Sequence, residues 1–241
     1  MPQATFMNIA HRGASAYAPE NTFSAFDKAL ALGASHAEMD LQFSSDGHIV
    51  VIHDDTVDRT TNGSGPVAAL SLAQLRELDA GSWFDRKFMG EKIPTLGGVL
   101  ERYKGRLHFH LEIKAQAEGL SQRTADLVRG YGVTGSVTIT SFQLVRVAES
   151  VSYAPELPAG WLFREMDDSI IAKAKQLGLK LLCPHAKAVT PDLVDSLHQM
   201  GFAVRAWGAG NEELMRRAVD AAVDGLTVNF PDKLAEYLAS G

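Results

Sequence analysis

The sequence predicts an α/β fold, on the strength of three observations. Short apolar or alternating runs recur along the chain and most are separated by helical patterns, which predicts parallel strand–helix–strand units. The 241 residues, 46% of them hydrophobic, suffice for one large core or two small domains. No Gly/Ser-rich linker or charge run divides the chain, so we expect one domain over residues 1–241.

Nine runs predict strands, at 6–11, 37–43, 48–53, 107–113, 136–141, 160–163, 180–184, 202–207 and 225–229. Residues typical of helix N-termini precede three of the helical patterns: Asn21-Thr22, Thr190-Pro191 and Asn211. Nine strands are one more than an eight-stranded barrel holds, although ~250 residues is the usual size of that fold. Asp46-Gly47 predicts a hairpin between the second and third runs, which places one strand outside the ring. The predicted fold is therefore a TIM (β/α)8 barrel.

One connection is much longer than the usual βα loop. Residues 54–94 follow the hairpin and predict a small inserted subdomain after the second barrel strand. Ser71 and Gln74 form a capping-box pattern, so we expect the insertion to contain at least one short helix.

Composition excludes several classes of protein. A net charge of −6 argues against a nucleic-acid backbone as the main partner. The single cysteine, Cys183, allows neither an intrachain disulfide nor a thiolate metal cluster. The start of the sequence does not resemble a signal peptide, and no apolar run reaches the ~18 residues of a membrane span. We therefore expect a cytoplasmic protein without a stable membrane anchor.

Polar side chains converge at the predicted hairpin. A two-residue turn at Asp46-Gly47 would place Asp40 directly opposite His53. Strand alternation puts Glu38 on the same face as Asp40. The hairpin thus predicts two carboxylates and an imidazole close together.

The run 107–114 adds a second group of polar residues. Alternation turns its apolar side chains toward the helices, and turns His108, His110, Glu112 and Lys114 into the barrel. Glu112 and Lys114 come last in the strand, nearest the end where barrel active sites lie. His108 and His110 lie lower, which favours a hydrogen-bonded core role. His11 and Arg12 end the first strand at the same rim as Glu112.

The charges of these residues indicate their ligand. Three carboxylates, on Glu38, Asp40 and Glu112, repel one another unless a cation joins them, and oxygen ligands suit Mg²⁺ or Ca²⁺. With a divalent ion bound, Arg12 and Lys114 bring the site to a charge of about +1, which complements a phosphodiester. His11 and His53 remain as the acid and base that phosphodiester cleavage requires.

Two aromatic residues lie near the same rim. Trp207 shares a strand face with Arg205, and Phe142 follows Ser141 at a strand end. Both residues are candidates for an aromatic wall that binds substrate. Simple core packing explains each of them equally well from the sequence.

The ordered motifs resemble the bacterial, cytoplasmic type of the glycerophosphodiester phosphodiesterase family. The resemblance runs through HRG (11–13), PENT (19–22), Glu38-x-Asp40, His53-Asp54, DRTTNGSG (58–65), IPTL (93–96), Glu112-x-Lys114 and VDGLTVNFPD (223–232). It implies a TIM barrel with an insertion, and hydrolysis of glycerophosphodiesters to glycerol 3-phosphate and an alcohol. In the mechanism usually proposed for the family, a glycerol hydroxyl attacks phosphorus to form a cyclic phosphate that water then opens.

Carried over by motif, the resemblance gives each residue a role. His11 and His53 are the acid/base pair, Arg12 and Lys114 bind phosphate, and the metal ligands are Glu38, Asp40 and Glu112. Two stretches depart from the family. Gly208-Ala209-Gly210 stands where many members have a T-V-N sequence after the tryptophan, and Val228-Asn229 stands in place of T-D. We expect these departures to affect substrate preference and not the reaction.

Alternatives remain at the level of sequence. A lysophospholipid-directed phosphodiesterase of the same barrel type would carry an exposed apolar anchor, for which the insertion offers Trp83, Phe84, Phe88 and Met89. A non-catalytic phosphate-ester binding protein would not need the two histidines. An unrelated metal-dependent barrel hydrolase would favour histidine ligands. The alcohol released, the choice of Mg²⁺ or Ca²⁺, the order in which the histidines act and the oligomeric state are open.

Overall fold

A computed structural model describes residues 6–114 and 118–240. Its nine strands form one sheet with the order β1-β9-β8-β7-β6-β5-β4-β2-β3, and an additional β1–β2 pairing closes eight of them into a ring. All pairs within the ring are parallel, and β3 lies outside it, antiparallel to β2. The predicted TIM barrel, with one strand outside the ring, is confirmed.

The strands and helices alternate along the chain. The strands are β1 Met7–His11, β2 His36–Phe43, β3 Ile49–Val51, β4 His108–Ile113, β5 Val137–Ser141, β6 Ala159–Phe163, β7 Leu181–Pro184, β8 Ala203–Ala206 and β9 Gly225–Val228. The α-helices are α1 Phe23–Ala31, α2 Leu72–Glu77, α3 Leu96–Tyr103, α4 Leu120–Gly130, α5 Leu144–Tyr153, α6 Asp168–Gln176, α7 Pro191–Gln199, α8 Glu212–Asp220 and α9 Pro231–Ser240. Among the described residues, no helix is both long and apolar enough to span a membrane.

The predicted helix starts are confirmed at the level of single hydrogen bonds. Thr22, Thr190 and Asn211 each accept a backbone N–H of the first helical turn with their side-chain oxygen. Such bonds satisfy donors that would otherwise lack partners at a helix start. The capping box of Ser71 and Gln74 is also present, at the start of α2 in the insertion.

The hairpin differs from the prediction by one residue. Gln42 pairs with Val50, and the amide of Ile52 donates to the carbonyl of Asp40 over 3.0 Å, so Ile52 and not His53 lies opposite Asp40. The two-residue turn is wrong because the chain turns over the wider segment 44–48. The amide of Ser44 closes this segment by donating to the His48 carbonyl over 2.9 Å.

The insertion folds around a small apolar core of its own. Val57, Val67, Leu75 and Ile93 are buried there and pack against the outer side of β3 residues. Two larger apolar clusters lie between the barrel strands and the surrounding helices. The insertion therefore rests on the hairpin, beside the end of the barrel where β1 and β2 finish.

The predicted alternation of β4 is confirmed. Phe109, Leu111 and Ile113 are buried in the apolar layer beneath the helices, whereas His110 and Glu112 are buried with polar partners inside the ring. Branched aliphatic side chains usually fill a barrel of this size. Here the described interior also holds histidines, carboxylates, threonines and an arginine, and this polar column leads to the site.

Candidate active site at the barrel mouth

A cavity of about 570 Å³ opens at the end of the barrel where the parallel strands finish. It is lined by His11, Arg12, Glu38, His53, Glu112, Lys114, Phe142, Leu162, Arg164, Arg205, Trp207, Gly208 and Thr227. Eight of the nine site residues predicted from sequence are in this lining. The ninth, Asp40, lies just beneath it and contacts Arg12 through the guanidinium Nε at 3.1 Å. The structure thus brings all nine together.

The HRG corner requires unusual backbone geometry. Arg12 has φ 56° and Gly13 has φ 81°, both in the left-handed region. A Cβ on Gly13 would lie 2.5 Å from the backbone of Ala25 in α1, so only glycine fits there. The corner turns the amide of Arg12 onto Glu38 Oε2 at 3.1 Å and sends its guanidinium to Glu20 at 2.8 Å.

Glu38, Asp40 and Glu112 form a buried carboxylate cluster. One oxygen from each residue lies within 4.8 Å of the others, and the residues are 2%, 1% and 8% exposed. Glu38 Oε1 and Asp40 Oδ1 are buried and have no hydrogen-bond partner within residues 6–114 and 118–240. Orphaned acceptors at this spacing are what an oxygen-ligated divalent cation would satisfy.

The close burial of the three carboxylates also raises the pKa values of Glu38 and Glu112. Burial and the nearby Asp40 and Glu112 raise the pKa of Glu38 well above its ordinary value. Burial and Asp40 raise the pKa of Glu112 to about 7, even though Lys114 lies 3.2 Å away and opposes the rise. Like charges without a cation between them favour protonation. A bound cation would reverse that preference.

Asn21 orients the third carboxylate of the cluster. Its Nδ2 donates to Asp40 Oδ2 over 2.9 Å, and it is 3% exposed. The sequence analysis did not assign Asn21 a role in the site, although it belongs to the PENT motif. Its φ of 58° explains why asparagine, which tolerates the left-handed region, stands here.

His11 has a neutral partner. Its Nδ1 lies 2.6 Å from Asn229 Oδ1, an oxygen that can only accept, so Nδ1 carries the proton and Nε2 is free toward the cavity. Nε2 lies 3.9 Å from Glu38 Oε2. Burial, followed by the charge of Arg12, lowers the pKa of His11 to about 4. The ring is therefore neutral at pH 7. Asn229, one of the departures from the family, thus holds a proposed catalytic residue, where we had expected it to affect substrate preference.

His53 has charged partners on both sides. Its Nδ1 lies 2.5 Å from Asp54 Oδ1, and its Nε2 lies 2.9 Å from Lys114 Nζ. The hydrogen bond from Arg59 is the first cause that lowers the pKa of Asp54, so this carboxylate stays ionised. Asp54 therefore accepts the Nδ1 proton of His53, and Nε2 points at the cavity as in His11.

Arg59 joins the rim into one network that the sequence analysis did not assign. Its Nε donates to Asp54 over 2.6 Å and its Nη1 to Glu20 over 2.9 Å, and Glu20 also binds Arg12. Arg59 belongs to the DRTTNGSG motif, which is the sequence signal that could have identified it. The network ties the insertion to the HRG corner.

The aromatic residues form one wall of the cavity. Phe142 and Trp207 meet edge to face at 4.7 Å between ring centroids, and the guanidinium of Arg164 lies 5.3 Å from the Trp207 ring. His185 supports Trp207 from another side, at 4.5 Å. A Cβ on Gly208, which has φ 78°, would lie 2.6 Å from His185 Nε2, so the imidazole explains why glycine stands there.

Arg205 is a buried cation that shares a strand face with Trp207 and for which the sequence predicted no role. It is 1% exposed, its Nε and Nη2 donate to Thr227 Oγ1, and its Nη1 has no hydrogen-bond partner. Its charge lowers the pKa of Glu38 and Glu112 against the larger effects of burial. Arg205 thus partly offsets the negative charge of the buried carboxylates.

Three histidines lie at the opposite end of the barrel interior. His110 Nε2 is 3.1 Å from His36 Nδ1, and His108 Nε2 is 2.9 Å from Thr138 Oγ1. Burial is the main cause that lowers the pKa of all three rings, that of His36 to about 4. The expected hydrogen-bonded core positions of His108 and His110 are observed. His36 joins them, although the predicted strand began one residue after it.

Comparisons with known proteins agree with this geometry. A family model described as the Glycerophosphoryl diester phosphodiesterase family matches residues 11–233. The glycerophosphodiester phosphodiesterase of Caldanaerobacter subterraneus subsp. tengcongensis is 36% identical over 237 residues, which cover 97% of this chain and 98% of that one.

Solved structures show the same likeness. The glycerophosphodiester phosphodiesterase from Agrobacterium tumefaciens is 31% identical with a TM-score of 0.84, covering 95% of this chain and 98% of that one. An Oleispira antarctica phosphodiesterase, solved in complex with the product sn-glycerol-3-phosphate, is 28% identical with a TM-score of 0.87, covering 96% of each chain. With the family model and the sequence relative both extending over nearly its whole length, the chain belongs to the glycerophosphoryl diester phosphodiesterase family.

Proposed function

We propose that the chain hydrolyses small glycerophosphodiesters, such as glycerophosphocholine, to glycerol 3-phosphate and an alcohol at the barrel mouth. One observation carries this proposal: a carboxylate cluster, two histidines whose Nε2 atoms face the cavity, and the cations Arg12 and Lys114 line or underlie a single cavity. The Nε2 of His53 is hydrogen-bonded to Lys114 Nζ at 2.9 Å. The product complex of the Oleispira antarctica relative supports the same chemistry, since the two chains share the fold over nearly their full length.

The three carboxylates fit a divalent cation, with Glu38, Asp40 and Glu112 as its protein ligands. Oxygen-only donors favour a hard ion, and we propose Mg²⁺ or Ca²⁺. When bound, such an ion supplies positive charge that stabilises the charge developing on the phosphoryl oxygens. Glu38 Oε1 and Asp40 Oδ1, which lack hydrogen-bond partners, support this assignment.

Arg12 and Lys114 bind the phosphodiester in this proposal. Lys114 Nζ stands between Glu112 and His53, at 3.2 Å and 2.9 Å. Arg12 is anchored by Glu20, so its guanidinium is fixed before substrate arrives. Fixed cations favour a phosphate whose negative charge grows in the transition state.

We assign His11 as the first base and His53 as the first acid. His11 is neutral at pH 7 and has a neutral partner, so its Nε2 can take the proton of a glycerol hydroxyl. That oxygen forms a bond to phosphorus as the bond from phosphorus to the alcohol oxygen breaks. In this proposal His53 starts the step protonated at both ring nitrogens, with Lys114 turned from Nε2 to the phosphate, and its Nε2 protonates the departing alcohol. Asp54 stabilises the protonated His53. Water then opens the cyclic phosphate with the two roles exchanged.

The lysophospholipid alternative has one observation in its favour. Trp83 and Met89 of the insertion are 38% and 62% exposed, and Phe84 packs between Trp83 and Phe88. These four residues do not line the cavity that contains the histidines. We therefore favour small substrates. Family membership also disfavours the non-catalytic binding protein and the unrelated barrel hydrolase considered from the sequence.

The test is release of glycerol 3-phosphate from glycerophosphocholine by purified protein. The protein is stripped with EDTA and then given Mg²⁺ or Ca²⁺, with the His11→Ala variant as the blank. We expect turnover that depends on the metal and is absent from the variant. Turnover on lysophosphatidylcholine alone would instead favour the lipid-directed alternative. Cytoplasmic location and the lack of a nucleic-acid partner remain predictions from the sequence.

A further inference from the structure

The lower end of the barrel carries a second group of ligand-type side chains, separate from the mouth. His36 begins β2 and His108 begins β4, and they pair with each other in the sheet, one layer below the pair of Glu38 and His110. The three imidazole rings form a near-equilateral triangle with centroids 4.9, 5.1 and 5.4 Å apart. We call His36, His108 and His110 the floor triad.

The ring nitrogens of the floor triad have the spacing of a metal site. One nitrogen from each ring lies within 4.8 Å of the other two, and His36 Nδ1 and His110 Nε2 are 3.1 Å apart. Zinc–nitrogen bonds of about 2.0–2.1 Å in a tetrahedron place neighbouring ligand nitrogens roughly 3.4 Å apart. Small ring rotations would therefore bring three nitrogens onto one ion.

A hydrogen bond orients one ring of the triad from outside. His108 Nε2 lies 2.9 Å from Thr138 Oγ1, so a proton on Nε2 leaves Nδ1 free to bind a metal. Metal-bound histidines commonly use their second nitrogen in this way. His110 is 0% exposed, and its Nδ1 has no hydrogen-bond partner in the part of the chain that the structure describes.

We propose that the floor triad is a transition-metal site, occupied by Zn²⁺ or by an ion of similar preference such as Co²⁺ or Ni²⁺ and distinct from the carboxylate site at the mouth. Neutral imidazoles are ligands of choice for these ions, whereas the all-oxygen cluster suits Mg²⁺ or Ca²⁺. His36 and His108 are partly exposed, so water can complete the coordination from the open end of the barrel.

Proton balance at the site is simple. In the metal-free protein, one of the two facing nitrogens of His36 and His110 carries a proton and donates it to the other. When the metal binds, that proton moves to the second nitrogen of the same ring, and the hydrogen bond is replaced by two coordination bonds. Each imidazole stays neutral and no proton needs to leave the protein.

The positive charge of Arg205 disfavours the binding of a cation to the floor triad. Its guanidinium lowers the pKa of His36 and His110, which shows that its field reaches them. Its charge also lowers the pKa of Glu38 and Glu112, so the guanidinium acts on both groups of ligand-type side chains. The guanidinium therefore limits the affinity of the floor triad for a cation.

The experiment titrates EDTA-stripped, full-length protein with Co²⁺ and records visible absorption. Histidine-rich four-coordinate Co²⁺ absorbs strongly, and six-coordinate Co²⁺ with oxygen ligands absorbs weakly, so the two sites give different signals. The variants are His108→Asn and His36→Asn at the floor, Glu38→Gln at the mouth, and His48→Asn at an exposed turn as the matched control.

We expect the strong band in the wild type, in Glu38→Gln and in His48→Asn, and an affinity reduced more than about 100-fold in either floor variant, since even removing an outer-shell partner costs 10–100-fold. Floor variants should keep glycerophosphodiester turnover with Mg²⁺, which also shows that they are folded. No strong band in the wild type, or a band that survives in both floor variants, would overturn the proposal. A band lost only in Glu38→Gln would assign the signal to the mouth and overturn it equally.

Discussion

The carboxylates at the rim of the mouth and those inside it have opposite properties. Glu20 and Asp54 at the rim are held by Arg59, and the pKa of each is lowered, that of Glu20 to about 2 even though burial raises it. Glu38 and Glu112 inside have raised pKa values, chiefly through burial and mutual repulsion. The rim is a completed ionic network, whereas two buried carboxylate oxygens of the interior, Glu38 Oε1 and Asp40 Oδ1, have no hydrogen-bond partner among the described residues.

Each histidine of the mouth belongs to one of these regions. His53 is bound to the rim through Asp54, and its ring has a carboxylate on one side and an ammonium group on the other. His11 belongs to the interior, with the neutral Asn229 as its partner and Glu38 nearby. The two histidines therefore differ in the charge of their hydrogen-bond partners, and this difference underlies the separate base and acid roles that we propose for them.

The largest expected effect comes from removing each histidine. His11→Ala and His53→Ala should each lower kcat by about 10²–10⁴-fold, because each loses general acid or base catalysis. A diester with a nitrophenol leaving group needs no acid to leave. It should therefore restore turnover in His53→Ala and not in His11→Ala, as measured by initial rates at saturating metal.

The matched control is metal affinity, which should change little in either variant because neither ring ligates the ion. Rescue of His11→Ala and not of His53→Ala would reverse the assigned order. Rescue of both would show that the two regions do not divide the acid and base roles between them.

A second prediction concerns the interior carboxylates. Glu112→Gln should stabilise the metal-free protein relative to the wild type, by nothing near pH 4.5 and by up to about 3 kcal/mol at pH 8, since the pKa of Glu112 rises from 4.5 to about 7 on folding. The folded wild type binds more protons than the unfolded chain between these values, so its stability falls as pH rises. Urea unfolding in EDTA at several pH values measures the difference.

Added Mg²⁺ should make the wild type more stable than Glu112→Gln, because the ion binds the wild-type carboxylate cluster and not the cluster that has lost one carboxylate. A difference between the two proteins that does not change with pH would show that Glu112 ionises normally. In that case the contrast between rim and interior would be lost.

A third prediction gives His11 a charged hydrogen-bond partner, as His53 has in Asp54. Asn229→Asp gives His11 a carboxylate partner, which should raise its pKa from about 4 by one unit or more. A base must be unprotonated, so activity is lost as pH falls through this pKa, and the acidic limb of the kcat/KM profile should move upward by about as much. Asn229→Asp keeps the size of the side chain and adds a charge. The control is Asn229→Ala, which removes the hydrogen-bond partner of His11 without adding a charge.

The fold and the site were predictable from the sequence to different extents. Strand–helix alternation and capping residues are local signals, and they predicted the strands and the helix starts, whereas the prediction of a closed barrel rested partly on the family resemblance. The hairpin register differs by one residue because the turn is wider than the dipeptide Asp46-Gly47 and begins at Ser44. Seven of the nine predicted site residues lie within two residues of a strand end, and Glu38 and Asp40 lie inside β2. Alternation and chain order are sufficient to predict such positions.

The partners of those residues were harder to predict. Asn229 is 218 positions from His11 in the chain, and only closure of the ring between β1 and β9 brings them together. Arg59 depends on how the insertion folds over the rim. The predicted strand begins at residue 37, because a histidine gives little signal for a strand start. Pairing with β4 extends β2 to include His36. Contacts made by tertiary closure leave little local signal in the sequence.

The smallest expected effect tests the rim itself. Arg59→Met should cost about 1 kcal/mol of stability at pH 7, because Arg59 is 44% exposed and solvent screens its ion pairs. The lowered pKa of Glu20 contributes stability above pH 4.5 that is lost as pH falls toward 2, so the variant and the wild type should converge in acid. Thermal unfolding at pH 7 and pH 3 measures this, with Arg102→Met, another exposed ion-paired arginine, as the control. A small loss of stability together with a several-fold lower turnover would mean that the rim network positions Asp54 and His53. Unchanged turnover would mean that the hydrogen bond to His53 alone holds Asp54 well enough. The ionic network would then serve stability only.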